Sequence, residues 1–175
     1  MVKLLSNVGF ALTRPGWHPL AVTDAKLVPV KSAKNLGAPQ VSIEFTVTGQ
    51  VDTGNHLWLY CALTGKAAGF GREKLEAIQP SVDWADYDWP DDFPEGFGDA
   101  KAQARIKEAL EACECYGEVE HVPSTTSPGR MMDRLKTVIP FTADPPLAED
   151  NEDGELVGAG VGTGDRTIDL YDTPL

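Results

Sequence analysis

Hydrophobic and polar residues alternate most cleanly in the first half of the chain. In "VSIEFTVTG", Val41, Ile43, Phe45 and Val47 fall on one side and Ser42, Glu44, Thr46 and Thr48 on the other, the period-two pattern of a half-buried strand. The turn sequence "QVDTGN" leads into "HLWLYCAL", where Leu57, Leu59, Cys61 and Leu63 alternate with Trp58, Tyr60 and Ala62. Upstream, "HPLAVTDAKLVPVKS" is rich in strand formers but alternates imperfectly. That irregularity predicts a long first strand with a bend or bulge, and Pro29 places an edge or bulge within it. Three strands joined by short turns make an antiparallel meander.

The period then changes. "AAGFGREKLEAI" carries Phe70 near its start and Leu75 and Ile78 at helical spacing, with Pro80 to end it. "DAKAQARIKEALEACECYG" predicts the chain's most regular helix: Asp99 caps its start, Ala102, Ile106, Ala109, Leu110 and Cys113 form an apolar stripe, and Gly117 closes it. Two more strands are expected, "CYGEVEHV" and "RLKTVIPF", the second with Leu135, Thr137, Ile139 and Phe141 alternating. From Ala143 onward Pro, Gly and acidic residues dominate and no core-forming period survives. The order β-β-β-α-(α)-β-β is that of a five-stranded OB-fold barrel with helices inserted between strands 3 and 4. A generic α+β roll satisfies the same order. The expected organisation is a mainly β domain over 1–143, with an acidic, aromatic and helical insertion at 81–115, and a flexible acidic Gly-rich tail over 144–175.

Length and charge refine this picture. The 175 residues suit one domain plus extra segments. No apolar run approaches the about 20 residues of a membrane helix, and the N-terminal stretch lacks the pattern of a signal peptide. Three cysteines, Cys61, Cys113 and Cys115, are an odd and sparse set that fits reduced thiols. A cytoplasmic protein, away from the membrane, is expected. The net charge is −12, yet residues 1–80 carry +3, 81–100 carry −7, 101–143 are neutral and 144–175 carry −8. Nearly all the negative charge sits in two segments, and the rest is neutral to basic.

Catalytic chemistry finds little support. His18, His56 and His121 lie in separate segments without a recognisable nucleophile motif. "GAGVGTG" is followed by neither the Lys nor the helix that a phosphate-binding loop requires, and reads as a linker. Cys113, Cys115 and His121, with Cys61 as a fourth donor, do not follow a standard zinc spacing, and buried or half-buried thiols are the favoured reading. No enzyme, no cofactor and no metal are expected.

The basic residues fall where an OB barrel would use them. The strand 2–3 face and the loops joining strands 1–2 and 4–5 form the usual oligonucleotide groove of that fold. The first loop, "PVKSAKNLGAPQ", holds Lys31 and Lys34; the second stretch, "PSTTSPGRMMDRLK", holds Arg130, Arg134 and Lys136. Solvated loop cations would explain either alone. If the leucines of strand 3 point inward, Trp58 and Tyr60 lie on the outer face, available for base stacking; large aromatics are also common in cores, and the faces could be reversed. Trp17, beside Arg14 and His18, is a weaker candidate. The rings of Trp84, Tyr87, Trp89, Phe93 and Phe97 sit among seven acids that repel phosphate, and are expected to pack on the barrel or the following helix.

"PGWHPLAVTDAKLVPVKSAKNLGAPQVSIEFTVTG" and "HLWLYCALTGKAAGFGREKLEAI", with the later "DDFPEGF" and "SPGRMMDRLK", resemble phage-encoded single-stranded-DNA-binding proteins over about residues 14–142. The resemblance implies an OB fold and sequence-tolerant binding of single-stranded DNA, with Lys31, Lys34, Trp58, Tyr60, Arg130, Arg134 and Lys136 at the contacts. It brings no catalytic residues. The ending "DRTIDLYDTPL" resembles the acidic C-terminal tails of bacterial and phage single-strand binders, although those usually end in Phe and this chain ends in Pro174-Leu175. Such a tail would offer Ile168, Leu170, Tyr171 and Leu175 to phage or host replication and recombination proteins. A plain solubilising tail is the alternative, and a homo-oligomer stays open. The main rival function is a protein-interaction module, a phage adaptor or inhibitor whose acidic aromatic segment and tail occupy a basic site on a host protein. An annealing or recombination mediator is a third.

Overall fold

The structure, a computed structural model, describes residues 11–89, 97 and 99–146. Five strands form one antiparallel sheet: β1 Gly16–Pro29, β2 Pro39–Val47, β3 His56–Ala62, β4 Glu114–Pro123 and β5 Met131–Pro140, in spatial order β3-β2-β1-β4-β5. Two helices, α1 Ala68–Ile78 and α2 Ala100–Leu110, lie between β3 and β4 in the chain. The fold is mainly β, and its first compact unit ends at Pro145. Tail residues Ile168, Leu170, Tyr171 and Leu175, and Phe93, lie outside the described residues.

β1 joins the two halves of the sheet. Its first part pairs with β4, from Gly16 opposite Val119 to Ala21 opposite Glu114. Its later part pairs with β2, from Leu20 opposite Val47 to Pro29 opposite Pro39. Between Val22 and Asp24 the register shifts, leaving Thr23 as the extra residue of a bulge. The bulge explains the imperfect alternation. Leu20 and Val22 are buried before it, Ala25 and Leu27 after it, so one unpaired residue moves the buried set from even to odd positions.

The same device operates in β5. Glu118 faces Thr137 and Val119 faces Leu135, so Lys136 has no opposite number. Leu135 and Val138 are therefore the buried pair, three positions apart. The expected alternation of Leu135, Thr137, Ile139 and Phe141 holds only at its first member: Phe141 is exposed and stacks on Tyr116, centroids 5.0 Å apart.

Beyond Val22 β1 has lost β4, and its bare edge is covered from elsewhere. Val22 donates its N–H to Cys113 O (2.8 Å), and Ala112 donates to Val22 O (3.2 Å). Further along, Gln103 of α2 acts as a substitute strand: Leu27 N donates to its Oε1 and its Nε2 donates to Leu27 O, both at 2.9 Å. These contacts correct the expected end of α2. The helix begins as foreseen, with Asp99 Oδ1 accepting from Lys101 N (2.9 Å) and Ala102, Ile106 and Leu110 buried. It stops at Leu110, because Ala112 (φ +61°) turns the chain into the sheet. Cys113 lies past the helix, and Gly117 is a β4 residue whose missing side chain leaves room for Leu20 and Leu135.

The core unites the inward residues of all five strands with one side of each helix. Val41, Ile43, Phe45 and Val47 are fully buried, with Leu57, Leu59 and Cys61 beside them. α1 presents Gly71, Leu75 and Ile78 to this core. Gly71 packs so closely on the Ala62 carbonyl that a Cβ would collide with backbone. The helix ends at Gln79, held extended ahead of Pro80 as the sequence predicts. α1 touches both β3 and β5, the outer strands of the hydrogen-bonded sheet, which also approach one another. In the acidic segment, Trp84 is buried and its Nε1 donates to Gln79 O (3.0 Å). Tyr87 and Trp89 stack against it and each other, centroids 4.5–6.1 Å apart.

Candidate nucleic-acid interface

Strand 3 is oriented as its alternation requires. Leu57, Leu59 and Cys61 are at most 3% exposed, whereas Trp58 and Tyr60 are 50% and 55% exposed on the opposite face. Exposing two large rings on one strand forgoes the burial worth about 1.5–3 kcal/mol for a large apolar side chain. Opposite them on β2 stand Glu44, facing Trp58, and Ser42, facing Tyr60. The next strand continues these rows with Asp24 and Lys26. Lys26 Nζ pairs with Asp24 Oδ2 at 3.6 Å.

Two residues of this face escaped the sequence reading. His56 begins β3 on the same side as Trp58; its ring lies 6.3 Å from the indole with an interplanar angle of 28°. Its Nδ1 donates to Glu44 Oε1 (2.7 Å), across the strand pair. Lys26 is the second, exposed on β1 in the row of Ser42 and Tyr60. The signal for His56 was present: the alternation that turned Trp58 outward applies equally two residues earlier. Lys26 was hidden by the Thr23 bulge, which shifts the face on which it stands.

Connections flank β3 at both ends. Lys31 and Lys34 are exposed in the β1–β2 connection, beyond the pair Gln40–Ala62, with Lys34 inside a short 3-10 turn. Neither makes an ion pair among the described residues. At the other end the β2–β3 turn is tied to the β4–β5 pair by the segment before β1. Asn55 Nδ2 donates to Thr13 Oγ1 (3.2 Å), Thr13 N donates to Asp133 Oδ2 (2.8 Å), and His121 Nε2 donates to Thr13 O (2.8 Å). The β4–β5 connection starts just past His121. It is closed by Ser124 N to Arg130 O (2.8 Å) and Arg130 N to Ser127 O (3.1 Å), and leaves the Arg130 side chain exposed without an ion-pair partner among the described residues.

Arg134 and Lys136 stand apart from these loop cations. Both lie within β5, and both are engaged by carboxylates of β4. Arg134 Nε donates to Glu120 Oε1 at 2.6 Å, and Lys136 Nζ to Glu118 Oε1 at 3.1 Å. The seven candidates thus divide: Lys31, Lys34 and Arg130 have no ion-pair partner among the described residues and Trp58 and Tyr60 are half exposed, whereas Arg134 and Lys136 belong to a neutralised ladder. Trp17 is half-buried in β1, opposite Glu118.

The thiols have inward roles. Cys61 and Cys115 are fully buried, and burial pushes both up to about 12; Cys113 is half-buried and also raised by burial. His121 is occupied by the Thr13 carbonyl. Among the described residues no three His, Cys, Asp or Glu side chains gather to hold a metal ion, and no described helix is long and apolar enough to cross a membrane. Neither a protein-family model nor a curated protein matches this chain.

Proposed function

We propose that this protein is an OB-fold barrel that binds single-stranded DNA without strong sequence preference, in phage DNA replication or recombination. The barrel reading is supported by a long bulged β1 shared between β4 and β2 and by the approach of β3 to β5. The observation that carries the function is the face of β3. Trp58 and Tyr60 stand uncovered between a connection bearing Lys31 and Lys34 and one bearing Arg130. Unpaired bases gain about 1–3 kcal/mol each from stacking on such rings, and the cations release counterions from the phosphates. A duplex buries its base faces, so the rings discriminate against it.

The test is a titration of labelled oligothymidylate across a salt series, with duplex as competitor. Binding that weakens steeply with salt and excludes duplex is the expected result. Absence of binding at low salt, or equal preference for duplex, would sink the reading. The rival protein-interaction role has the exposed carboxylates of the acidic segment to work with. Three of its rings are engaged within the protein: Trp84 is buried and Tyr87 and Trp89 are half-buried against it. Capture of a basic host protein with no effect on oligonucleotides would favour that rival.

A further inference from the structure

We infer that Lys26 contacts the phosphate of the nucleotide whose base stacks on Tyr60, and that Asp24 holds its ammonium group until nucleic acid displaces it. The inference rests on the proposed single-strand binding and assigns to it a residue and a crossing point for the sugar-phosphate backbone.

Register places the two groups in one line across the sheet. Lys26 of β1 is opposite Ser42 of β2, and Ser42 is opposite Tyr60 of β3. Neighbouring strands lie about 4.8 Å apart, so the Lys26 and Tyr60 backbones stand about 10 Å from each other across β2. Within this row only the short Ser42 side chain stands between them. The neighbouring row has the opposite character. Asp24 is opposite Glu44, and Glu44 is opposite Trp58. Two carboxylates thus occupy the places where the Tyr60 row has an ammonium and a hydroxyl. Phosphates are repelled from the Trp58 row and attracted to the Tyr60 row, which is also the one nearer the connection bearing Lys31 and Lys34. Exposed rings serve bases in both rows, whereas the backbone meets a cation in only one.

Lys26 is also held loosely enough to change partners. Its Nζ lies 3.6 Å from Asp24 Oδ2, and the two side chains are 58% and 37% exposed. That distance exceeds the about 2.8 Å of a charge-assisted hydrogen bond, and pairs this exposed contribute little. A phosphate therefore replaces Asp24 without stranding a buried charge. Lysine suits the task, because its ammonium is a point charge on a flexible stem and follows a backbone whose position varies from base to base. The ligand class is a phosphodiester next to an unpaired base.

The test titrates the full chain with oligothymidylate, and with an abasic chain of the same length, between 50 and 200 mM salt. Lys26→Met keeps the apolar stem and removes the charge. It should lower the salt slope by about 0.7, so that the advantage of wild type over the variant is about 2.6-fold greater at 50 mM than at 200 mM. Lys26→Arg should keep the wild-type slope. The abasic chain retains every phosphate, so Lys26→Met should flatten its slope as well, whereas Tyr60→Ala should weaken oligothymidylate alone. Asp24→Asn should raise low-salt affinity, and should raise it less in the Lys26→Met background. Equal slopes for wild type and Lys26→Met overturn the assignment and leave single-strand binding standing. A loss of affinity with an unchanged slope also overturns it, because the residue would then act through packing. An equal gain from Asp24→Asn in both backgrounds removes Asp24 as the resting partner. If wild type binds neither chain, the function itself falls and the assignment with it.

Discussion

The outer face of β2 and β3 and the outer face of β4 and β5 belong to one sheet but differ in how their polar and aromatic groups are partnered. On β4 and β5, Glu118 meets Lys136 and Glu120 meets Arg134 across the strands, and Tyr116 stacks on Phe141. Each of these groups has a partner in the protein itself. On β3, Trp58 and Tyr60 are half exposed, and Lys31 and Lys34 at the strand's end have no carboxylate partner among the described residues. Counting basic residues along the sequence cannot separate the two faces. What separates them is whether the opposite residue on the next strand is an acid, and that depends on register.

The largest expected effect removes the rings from the open face. Replacing Trp58 and Tyr60 together by Ala should lower oligothymidylate affinity by roughly 30-fold to over 1,000-fold, since stacking contributes about 1–3 kcal/mol per base. The fold should persist, because both side chains point away from the core. Fluorescence anisotropy with a circular dichroism control reads both quantities. The matching change on the other face, Phe141→Ala, should leave affinity at the wild-type value. If it weakens binding as much, the two faces are equivalent and the comparison is wrong.

Cations provide the next contrast. Changing Lys31, Lys34 and Arg130 to Ala should flatten the salt dependence, by about 0.7 in the slope for each phosphate of a single strand that is no longer neutralised. Changing Arg134 and Lys136 should flatten it less, because each must leave Glu120 or Glu118 before it can meet a phosphate. A salt slope that responds equally to the two sets would erase the distinction between unpaired and paired cations.

Within the hydrogen-bonded sheet β1 joins the two faces, and its bare edge gives the control. Gln103→Leu should cost about 2 kcal/mol of stability, because the buried N–H and C=O of Leu27 lose their partner. Affinity measured well below the transition should not change, since Gln103 lies on neither face. Chemical denaturation and the same oligothymidylate titration separate the two outcomes.

Much of this architecture was legible in the sequence where period and burial agree. The alternation of β2 and β3 was legible because each has one dry side, Ser42 of β2 being buried on the other; it placed Trp58 and Tyr60 together on one side, and burial of the leucines shows that side to be the outer one. Legibility failed where one residue changes phase. Thr23 and Lys136 are extra residues in β1 and β5, and nothing in their side chains announces a bulge; the shift is set by the partner strand. The end of α2 failed for a related reason. "EACECYG" has helical character by itself, but residues 112–114 are drawn into the ladder by Val22, whose backbone would otherwise be bare. The candidate site inherits these limits: Lys26 follows one bulge, Lys136 is another, and the pairing of Arg134 with Glu120 is a cross-strand fact. The outward side of His56 follows from the same alternation as Trp58, but its partner, Glu44 on the adjacent strand, is again a matter of register.

The smallest effect is expected where the comparison is reversed, by making the paired face resemble the open one. Glu118→Gln and Glu120→Gln together release Lys136 and Arg134 and remove two negative charges. Exposed pairs of this kind contribute about 0–1 kcal/mol; Lys136 and Arg134 are themselves 57% and 60% exposed, so stability should move little. Affinity at low salt should rise by a few-fold at most, and the gain should vanish as salt approaches the physiological range, where the Debye length is about 8 Å. Added cations without uncovered rings supply attraction to phosphate but no preference for unpaired bases. The double variant should therefore gain as much on duplex as on single strands. A gain confined to single strands would mean that β4 and β5 also hold bases, and that the groove extends across both faces.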